Sequence, residues 1–463
     1  MKHVVIIGNG IAGVTAARYI RKRSDFPVTI VSAESKYFFS RTALMYVYMG
    51  HMGMKEITPY EDGFWEKNRI QLIQAYVEHV DTTHRKLLLS SGRELHYDVL
   101  VIATGSSYSK SNWPGQDLMG VGGLYSLQDL EYMEFWTKNS ERGVIVGGGL
   151  IGIEMAEMLL SRRIQVTFLV REKSFWNHVL PDEESRMVNR HILEHHVDLR
   201  LETELAEIID DGNGKVKAVR TSTGETISCE WVGLTTGVRP NVRFLRNSDI
   251  HLGRGVLVNP YFETNVPNVY AIGDCAEFRN PPPPRKPIEQ VWYTGKMHGE
   301  TVAMTITGDR RAYHPGIWFN SAKFFDIEYQ VYGEVPAQVP DGEESLFWEA
   351  PDGKKSIRIN YEQRTGVVTG FNLMGVRYRH KVCDQWLHEH RTIDYVLENL
   401  RAANFDPEFF ATHEHELAAI HASKTGRQVD QKPRGRLLSM MFGKHRIAKP
   451  ATPPHDRSPS KLS

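Results

Sequence analysis

Cysteine is scarce: the 463-residue chain has 3, Cys229, Cys275 and Cys383, far apart and without a CxxC pair. That spacing excludes a disulfide framework and a paired-cysteine zinc site, and it suits a reducing, cytoplasmic setting. Net charge is absent, with 56 Lys and Arg against 56 Asp and Glu, so nothing global points to nucleic acid. No apolar run approaches the ~18 residues of a membrane span. Strand residues begin at Val4 with no cleavage site after them, so no signal peptide is expected. What remains is an ordinary globular composition in a chain too long for one core, which predicts two to four domains.

What is present begins at once. Val4-Val5-Ile6-Ile7 is a β-branched run that leads into Gly8-Asn9-Gly10-Ile11-Ala12-Gly13 and then a helical stretch. Strand, glycine turn and helix N-terminus are the parts of a pyrophosphate cradle. A second strand, Val28 to Val31, leads to Glu34, at the ~20-residue spacing where a ribose hydroxyl wants a carboxylate. The pattern then recurs: strand Gly143 to Val146, turn Gly147-Gly148-Gly149-Leu150-Ile151-Gly152, and a helix carrying Glu154. Two such fingerprints predict two dinucleotide sites, and a chain holding two usually passes hydride between them. The next strand ends in Val170-Arg171-Glu172. Arg171 leans towards a 2′-phosphate, while Glu172 beside it is able to take a free ribose instead.

Two similar strings, Leu100-Val101-Ile102-Ala103-Thr104-Gly105 and Trp231-Val232-Gly233-Leu234-Thr235-Thr236-Gly237, read as the two crossings between domains. The fold class is therefore α/β, with two Rossmann-like domains, the second inserted in the first, and a smaller α+β C-terminal unit. The expected boundaries are 1–110 with 234–313, 111–233, 314–410, and a basic tail, 411–463, expected to be disordered. Residues 70–102 read as a meander, and 315–400 as strands at hairpin spacing. His388-Glu389-His390 and His413-Glu414-His415-Glu416 read as polar, solvated helix faces, and no metal is expected. Within the tail, Arg434 to Arg446 mixes basic and apolar residues; it reads as a solvated tail or as an amphipathic helix for an anionic membrane or a partner.

The motifs GNGIAG, IATG, GGGLIGIE, TTGVRPN and YAIGDCA, in this order, resemble the FAD-dependent pyridine-nucleotide disulfide oxidoreductase superfamily over residues 1 to about 400. The resemblance implies that Gly8, Gly10 and Gly13 lie over the FAD pyrophosphate and that Glu34 takes the adenosine ribose. It implies that Val77 meets adenine through its backbone, and that Ala103, Thr104 and Gly105 lie against FAD. Asp274, with Gly273 leaving room, matches the ribityl-binding Asp. Gly147, Gly149, Ile151 and Gly152 match the NAD(P)H fingerprint, Glu154 the acid near nicotinamide, and Arg171 the 2′-phosphate Arg. After the polyproline stretch Pro281 to Pro284, Ile288-Glu289-Gln290-Val291-Trp292 resembles the start of the helix that faces the flavin. The C-terminal unit resembles an interface domain that dimerises in some branches, so a homodimer is one expectation.

The departures are informative. Thiol-using branches carry Cys after the second strand, where this chain has Ser40-Arg41 and no Cys before position 229. Without a thiolate there is no nucleophile for disulfide or peroxide chemistry; Cys275 reads as packing. Phe39-Ser40-Arg41-Thr42 is more similar to the YxRP string of ferredoxin and rubredoxin reductases, with Thr42 for the Pro and Tyr46 for a Lys. Arg41 has two readings, a snorkelling cation on a core helix or a contact to flavin or phosphate. The expected function is an FAD-dependent oxidoreductase. It would pass hydride from NAD(P)H to flavin and then electrons to a ferredoxin- or rubredoxin-type acceptor, with Glu154 and Arg41 as the catalytic candidates. The rivals are a quinone reductase held peripherally at the inner face of a membrane through 434–446, and a flavoprotein sensor with little turnover.

Overall fold

The computed structural model describes residues 2–281, 285–406, 408 and 411–429. Most of the polyproline stretch and the segment Arg434 to Arg446, with the membrane contact expected of it, lie outside the described residues.

The first sheet is parallel, in the order Val269–Ala271, Val99–Ile102, Val4–Ile7, Val28–Ser32, Ile70–Gln74. Its central strands are buried along their whole length, which is why they read as unbroken aliphatic runs rather than alternating ones. Two helices, Ile11–Arg23 and Trp292–Ile306, pack on each other beside it. Gly299 permits the close approach, since a Cβ there would stand 2.5 Å from the Ala12 carbonyl oxygen. The expected meander needs correcting. Ile70–Gln74 is the parallel edge strand of this sheet, and only Val77–Asp81, Lys86–Leu89 and Glu94–His96 form an antiparallel sheet. Alternation alone does not distinguish a half-covered parallel edge strand from a hairpin strand.

A second parallel sheet, in the order Asp198–Arg200, Gln165–Leu169, Arg142–Val146, Trp231–Leu234, Val121–Gly122, carries the second fingerprint. The third sheet is antiparallel: Phe319–Phe324, Ile327–Gly333, Val368–Met374, Ser356–Glu362, Glu343–Glu349. The aromatic Phe324 and Tyr329 of this sheet join the core of the second Rossmann unit, Phe324 meeting the Phe175 ring at 5.9 Å. A buried cation cements the same contact. Arg358 donates twice to Glu184 (2.7 and 2.8 Å) and once to Glu183 (2.7 Å) on the helix Asp182–Glu194.

Disorder from residue 411 does not hold for its first part. Glu414–Thr425 is a helix, with Leu417 buried in the C-terminal core. His421 is buried against Asp394 at 2.8 Å, and Glu414 is buried and accepts from Asn404 at 2.6 Å. Glu414 is thus no solvated face either, and His413 packs its ring on Trp348 at 4.2 Å. Glu414 and His421, which read as tail-like polar residues, are paired inside the fold.

Candidate functional site

A cavity of about 630 Å³ opens at the C-terminal ends of the first sheet, where Ile7, Val31, Ala103 and Ile272 line it. That is where an open α/β sheet offers a crevice. Gly8 is left-handed at φ +109°, and a Cβ there would stand 2.2 Å from the Ala103 carbonyl oxygen. A Cβ on Gly13 would stand 2.1 Å from the Gly8 carbonyl oxygen. Both glycines are demanded by the protein's own packing. Gly10 is different: a Cβ there meets nothing within 4 Å. It is the N-cap of Ile11–Arg23 and has no side chain to cap it, so the first-turn N–H groups have no side-chain acceptor. Asn9 fixes the turn: its Oδ1 accepts from Ser32 at 2.9 Å and its Nδ2 donates to the Ser35 carbonyl at 2.8 Å.

The polar groups of the cavity form a connected chain. Arg41 donates to both oxygens of Glu34, at 2.8 and 2.6 Å, and to the Tyr125 carbonyl at 2.5 Å. Glu34 also accepts from the Leu127 backbone at 2.9 Å. The Tyr125 hydroxyl donates to Asp274 at 3.0 Å and accepts from the Ser106 N–H at 2.9 Å. Burial pushes the Asp274 carboxyl and the Tyr125 phenol up, against hydrogen bonds that lower Asp274. Behind Asp274, the Gly273 N–H donates to the fully buried His298 Nδ1 at 3.1 Å. Burial lowers the pKa of that imidazole, although Glu289 opposes the shift.

Of the residues named from sequence, Gly8, Gly10, Ile11, Ala12, Glu34, Arg41, Val77, Ala103, Thr104, Gly105, Gly273 and Asp274 line this one cavity. Gly13 lies one layer behind, and Val291, the N-cap of Trp292–Ile306, stands between the lining residues Gln290 and Trp292. Tyr125 escapes sequence reasoning. It stands in no motif, and its one trace is Gly105, where a Cβ would come within 2.8 Å of the Tyr125 hydroxyl.

The second glycine turn repeats the logic. A Cβ on Gly147 (φ +116°) would stand 2.8 Å from the Thr235 carbonyl oxygen, and one on Gly152 2.5 Å from the Gly147 carbonyl oxygen. Gly149, the uncapped N-cap of Leu150–Ser161, is open, as is Gly237. Thr235 ties the turn to its strand, donating to the Val146 carbonyl at 2.9 Å. Glu154 follows Ile151 on the helix. Burial, helped by the like charge of Glu157, pushes its carboxyl up to about 7. Glu157 itself is paired with Lys323 of the C-terminal sheet at 2.9 Å. Arg171 is exposed and held by Glu172 at 2.7 Å.

All three cysteines are buried and unpaired. Cys275 donates to the Ile272 carbonyl at 3.3 Å, and burial pushes its thiol up; Cys229 is pushed up to about 12 by the same cause.

These groups fit an extended dinucleotide. An open glycine sits at a bare helix end, a carboxylate at the end of the second strand, and a partly buried carboxyl at the far end of the cavity. Comparison with known proteins agrees. The family described as pyridine nucleotide-disulphide oxidoreductase matches residues 2–299. The nitrite reductase [NAD(P)H] of Bacillus subtilis is 32% identical over 281 residues, 60% of this chain and 35% of that protein. The chain spans about a third of the first curated relatives it matches, 35% and 36% of their lengths. The nitric oxide reductase FlRd-NAD(+) reductase of Escherichia coli is 30% identical over 277 residues, 59% of this chain and 72% of that one. Among solved structures, a ferredoxin reductase for the CYP199A2 system from Rhodopseudomonas palustris superposes with a TM-score of 0.74. It is 22% identical and covers 90% of this chain and 99% of its own.

Proposed function

The chain belongs to the pyridine nucleotide-disulphide oxidoreductase family, whose members use FAD and NAD(P)H, and from that premise we propose that it delivers electrons from NAD(P)H to a small ferredoxin- or rubredoxin-type protein with no cysteine in the path. One observation carries the thiol-free part. The position after the second strand holds Ser40-Arg41, and every cysteine is buried in packing. The protein-acceptor part is supported by the relative named as an FlRd-NAD(+) reductase and by the Arg41 string.

FAD, when bound, supplies an electron carrier able to take a pair from a nicotinamide and release electrons to a one-electron partner. The chain's own residues do the binding and positioning. The bare first turn at Gly10 and the Arg41 guanidinium would hold the pyrophosphate, and Glu34, held in place by Arg41, would take a ribose hydroxyl. Asp274, its carboxyl positioned by the Tyr125 hydroxyl, would hold the sugar-alcohol chain. Gly149 and Gly152 shape the NAD(P)H turn. Glu154, its carboxyl pushed up by burial and by the charge of Glu157, would orient the nicotinamide amide. Arg171, already paired with Glu172, gives a 2′-phosphate one contact without excluding a free ribose.

The test is anaerobic mixing of the FAD-loaded chain with NADH or NADPH, followed by a panel of ferredoxin, rubredoxin, quinone in liposomes, and disulfides. Fast turnover with an iron–sulfur or rubredoxin-type protein is the expected result. Turnover confined to quinones or disulfides, or bleaching without turnover on any acceptor, would overturn it.

A further inference from the structure

Away from the cavity, three potential ligands converge where the second Rossmann unit meets the C-terminal sheet. His191 and His195 stand one turn apart at the end of the helix Asp182–Glu194, on one face. Asp326 comes from the tight turn between Phe319–Phe324 and Ile327–Gly333, where Phe325 takes a left-handed φ of 55°. One ligand atom from each lies within 4.8 Å of the others. The arrangement is braced: the His195 ring stacks on Phe325 at 4.2 Å, nearly parallel at 8°.

The tautomers decide what the cluster wants. His195 Nδ1 sits 2.9 Å from the His191 carbonyl oxygen, which can only accept, so Nδ1 carries the proton and Nε2 is left with its lone pair. His191 Nδ1 lies 3.4 Å from a Glu194 carboxylate oxygen, while its Nε2 hydrogen-bonds the Asp326 carboxylate directly and carries the proton there when no metal is bound. Both Nε2 atoms then point at Asp326: His191 Nε2 in direct contact, His195 Nε2 at 3.7 Å. The His195 lone pair faces a carboxylate with no proton between them, and with the His191 proton displaced all three ligand atoms are acceptors that one cation would bridge. A proton on His191 serves one ring, in a side chain that is 2% exposed. A metal ion serves all three groups at once. Lys354 is engaged with Glu194 at 3.7 Å.

We propose that His191, His195 and Asp326 bind a divalent cation of the borderline-soft class, Zn²⁺ being the best fit, as a clamp between the second Rossmann unit and the C-terminal sheet. Two imidazoles and one carboxylate suit Zn²⁺ and disfavour Mg²⁺ and Ca²⁺, which prefer all-oxygen sets. The second ring nitrogen of each imidazole is already held by the protein, as metal-bound histidines require. Asp326 is 63% exposed, so its carboxylate is free to draw back from His191 to make room for the ion, and water completes the shell. None of the three lines the cavity, so the ion's role is to hold the two units together rather than to enter the redox step.

The experiment is equilibrium dialysis of the full-length, FAD-loaded chain against micromolar Zn²⁺, with metal counted by mass spectrometry and thermal unfolding followed with Zn²⁺ and with chelator. One Zn²⁺ per chain and a melting temperature that rises with Zn²⁺ are expected. Asp326→Asn and His195→Gln, both at partly exposed positions, should each weaken Zn²⁺ by at least about tenfold, since even partners of the ligands cost 10- to 100-fold. Both should keep their flavin and lose the Zn²⁺-dependent rise in melting temperature. A His388→Gln/His390→Gln double variant, altering exposed histidines elsewhere, should bind Zn²⁺ as the parent does. The proposal is overturned if the parent takes up no stoichiometric Zn²⁺, in which case the cation is a proton. Unchanged binding by Asp326→Asn and His195→Gln overturns it equally.

Discussion

Arg41 grips Glu34 at two points, its terminal nitrogens 2.8 and 2.6 Å from the two carboxylate oxygens, at the wall of the main cavity. Along the sequence these residues have separate jobs, one for a ribose and one for flavin or phosphate; in the structure each sets the other's position. Removing either leaves the other's charge partly buried and unpaired. Hydrogen bonds to charged groups contribute about 1.5–3 kcal/mol, so Arg41→Gln should raise the FAD dissociation constant roughly tenfold to a hundredfold. Glu34→Gln should cost nearly as much, and the double variant little more than either single one. Flavin titration by fluorescence quenching, run as a double-mutant cycle, measures this; simple additivity would mean that the two residues act independently.

The glycines divide into those the fold needs and those a ligand needs. Gly8→Ala forces a side chain into the Ala103 carbonyl at a left-handed backbone, and should yield little folded protein. Gly10→Ala enters open space at an ordinary φ of −69°, so the apo chain should unfold at an unchanged temperature or slightly higher. Its flavin content should nonetheless fall sharply. At the second turn, Gly149→Ala should keep FAD and raise KM for NAD(P)H. A Gly10→Ala protein that holds flavin as well as the parent would mean that no ligand needs the open space at that helix end.

The parts of the fold legible in the sequence are those where one local rule acts alone. Continuous aliphatic runs followed by glycine turns announce Val4–Ile7 and Arg142–Val146, because a doubly covered parallel strand has no polar face to confuse the pattern. Ile70–Gln74 is misleading because its one exposed side makes it alternate like a hairpin strand. Glu343–Glu349 is hard to see because its acids mask a strand that alternates only on burial. Helix Glu414–Thr425 reads as tail because buried polar pairs, Asn404 with Glu414 and Asp394 with His421, are invisible until the chain is folded. The site shows the same division: motif glycines are legible, while Tyr125, reaching Asp274 from 149 residues away, is not.

Glu154 carries a pH signature. Its carboxyl is pushed up to about 7, first by burial and then by Glu157. The folded chain therefore binds a proton that the unfolded chain, with an ordinary glutamate, has released. Between the unfolded value and about 7 the folded state holds more protons, so this group's contribution to stability is full below that window and is lost as pH rises through it. Glu154→Gln should be more stable than the parent above pH 7, by about 1–3 kcal/mol. The rate of flavin reduction by NAD(P)H should bend near neutrality in the parent and lose that bend in the variant. Glu157→Gln, by removing the like charge, should move the bend to lower pH. A profile identical in all three proteins would show that the titration belongs elsewhere.

Cysteine replacement tests the absence of sulfur from the electron path. Cys275 follows Asp274 directly, yet its thiol is buried, held by the Ile272 carbonyl and pushed up by desolvation. The Cys229→Ala/Cys275→Ala/Cys383→Ala chain loses buried volume at three sites, at about 1 kcal/mol each, and should unfold several degrees lower. Below that temperature its turnover with a protein acceptor should stay within about twofold of the parent, a difference under 0.5 kcal/mol in the barrier. Alkylating reagents should leave the native parent active for the same reason. If the folded triple variant is reduced by NAD(P)H at the normal rate but no longer passes electrons on, a thiol lies in the path.

Arg358 and Glu184 offer the converse case, a charge pair whose work is mechanical. The guanidinium is 3% exposed, Glu184 is fully buried, and the pair joins the C-terminal sheet to the helix Asp182–Glu194. Burial pushes the Glu184 carboxyl up, and the Arg358 guanidinium opposes that shift. Truncating one side strands the other charge in apolar surroundings. Arg358→Ala should therefore destabilise the chain by about 3–5 kcal/mol, whereas Arg358→Met with Glu184→Leu should recover most of that loss. Chemical unfolding followed by tryptophan fluorescence gives both values. Because neither residue lines the cavity, the double variant should bind FAD and NAD(P)H normally, which separates the joint between the two units from the site it supports.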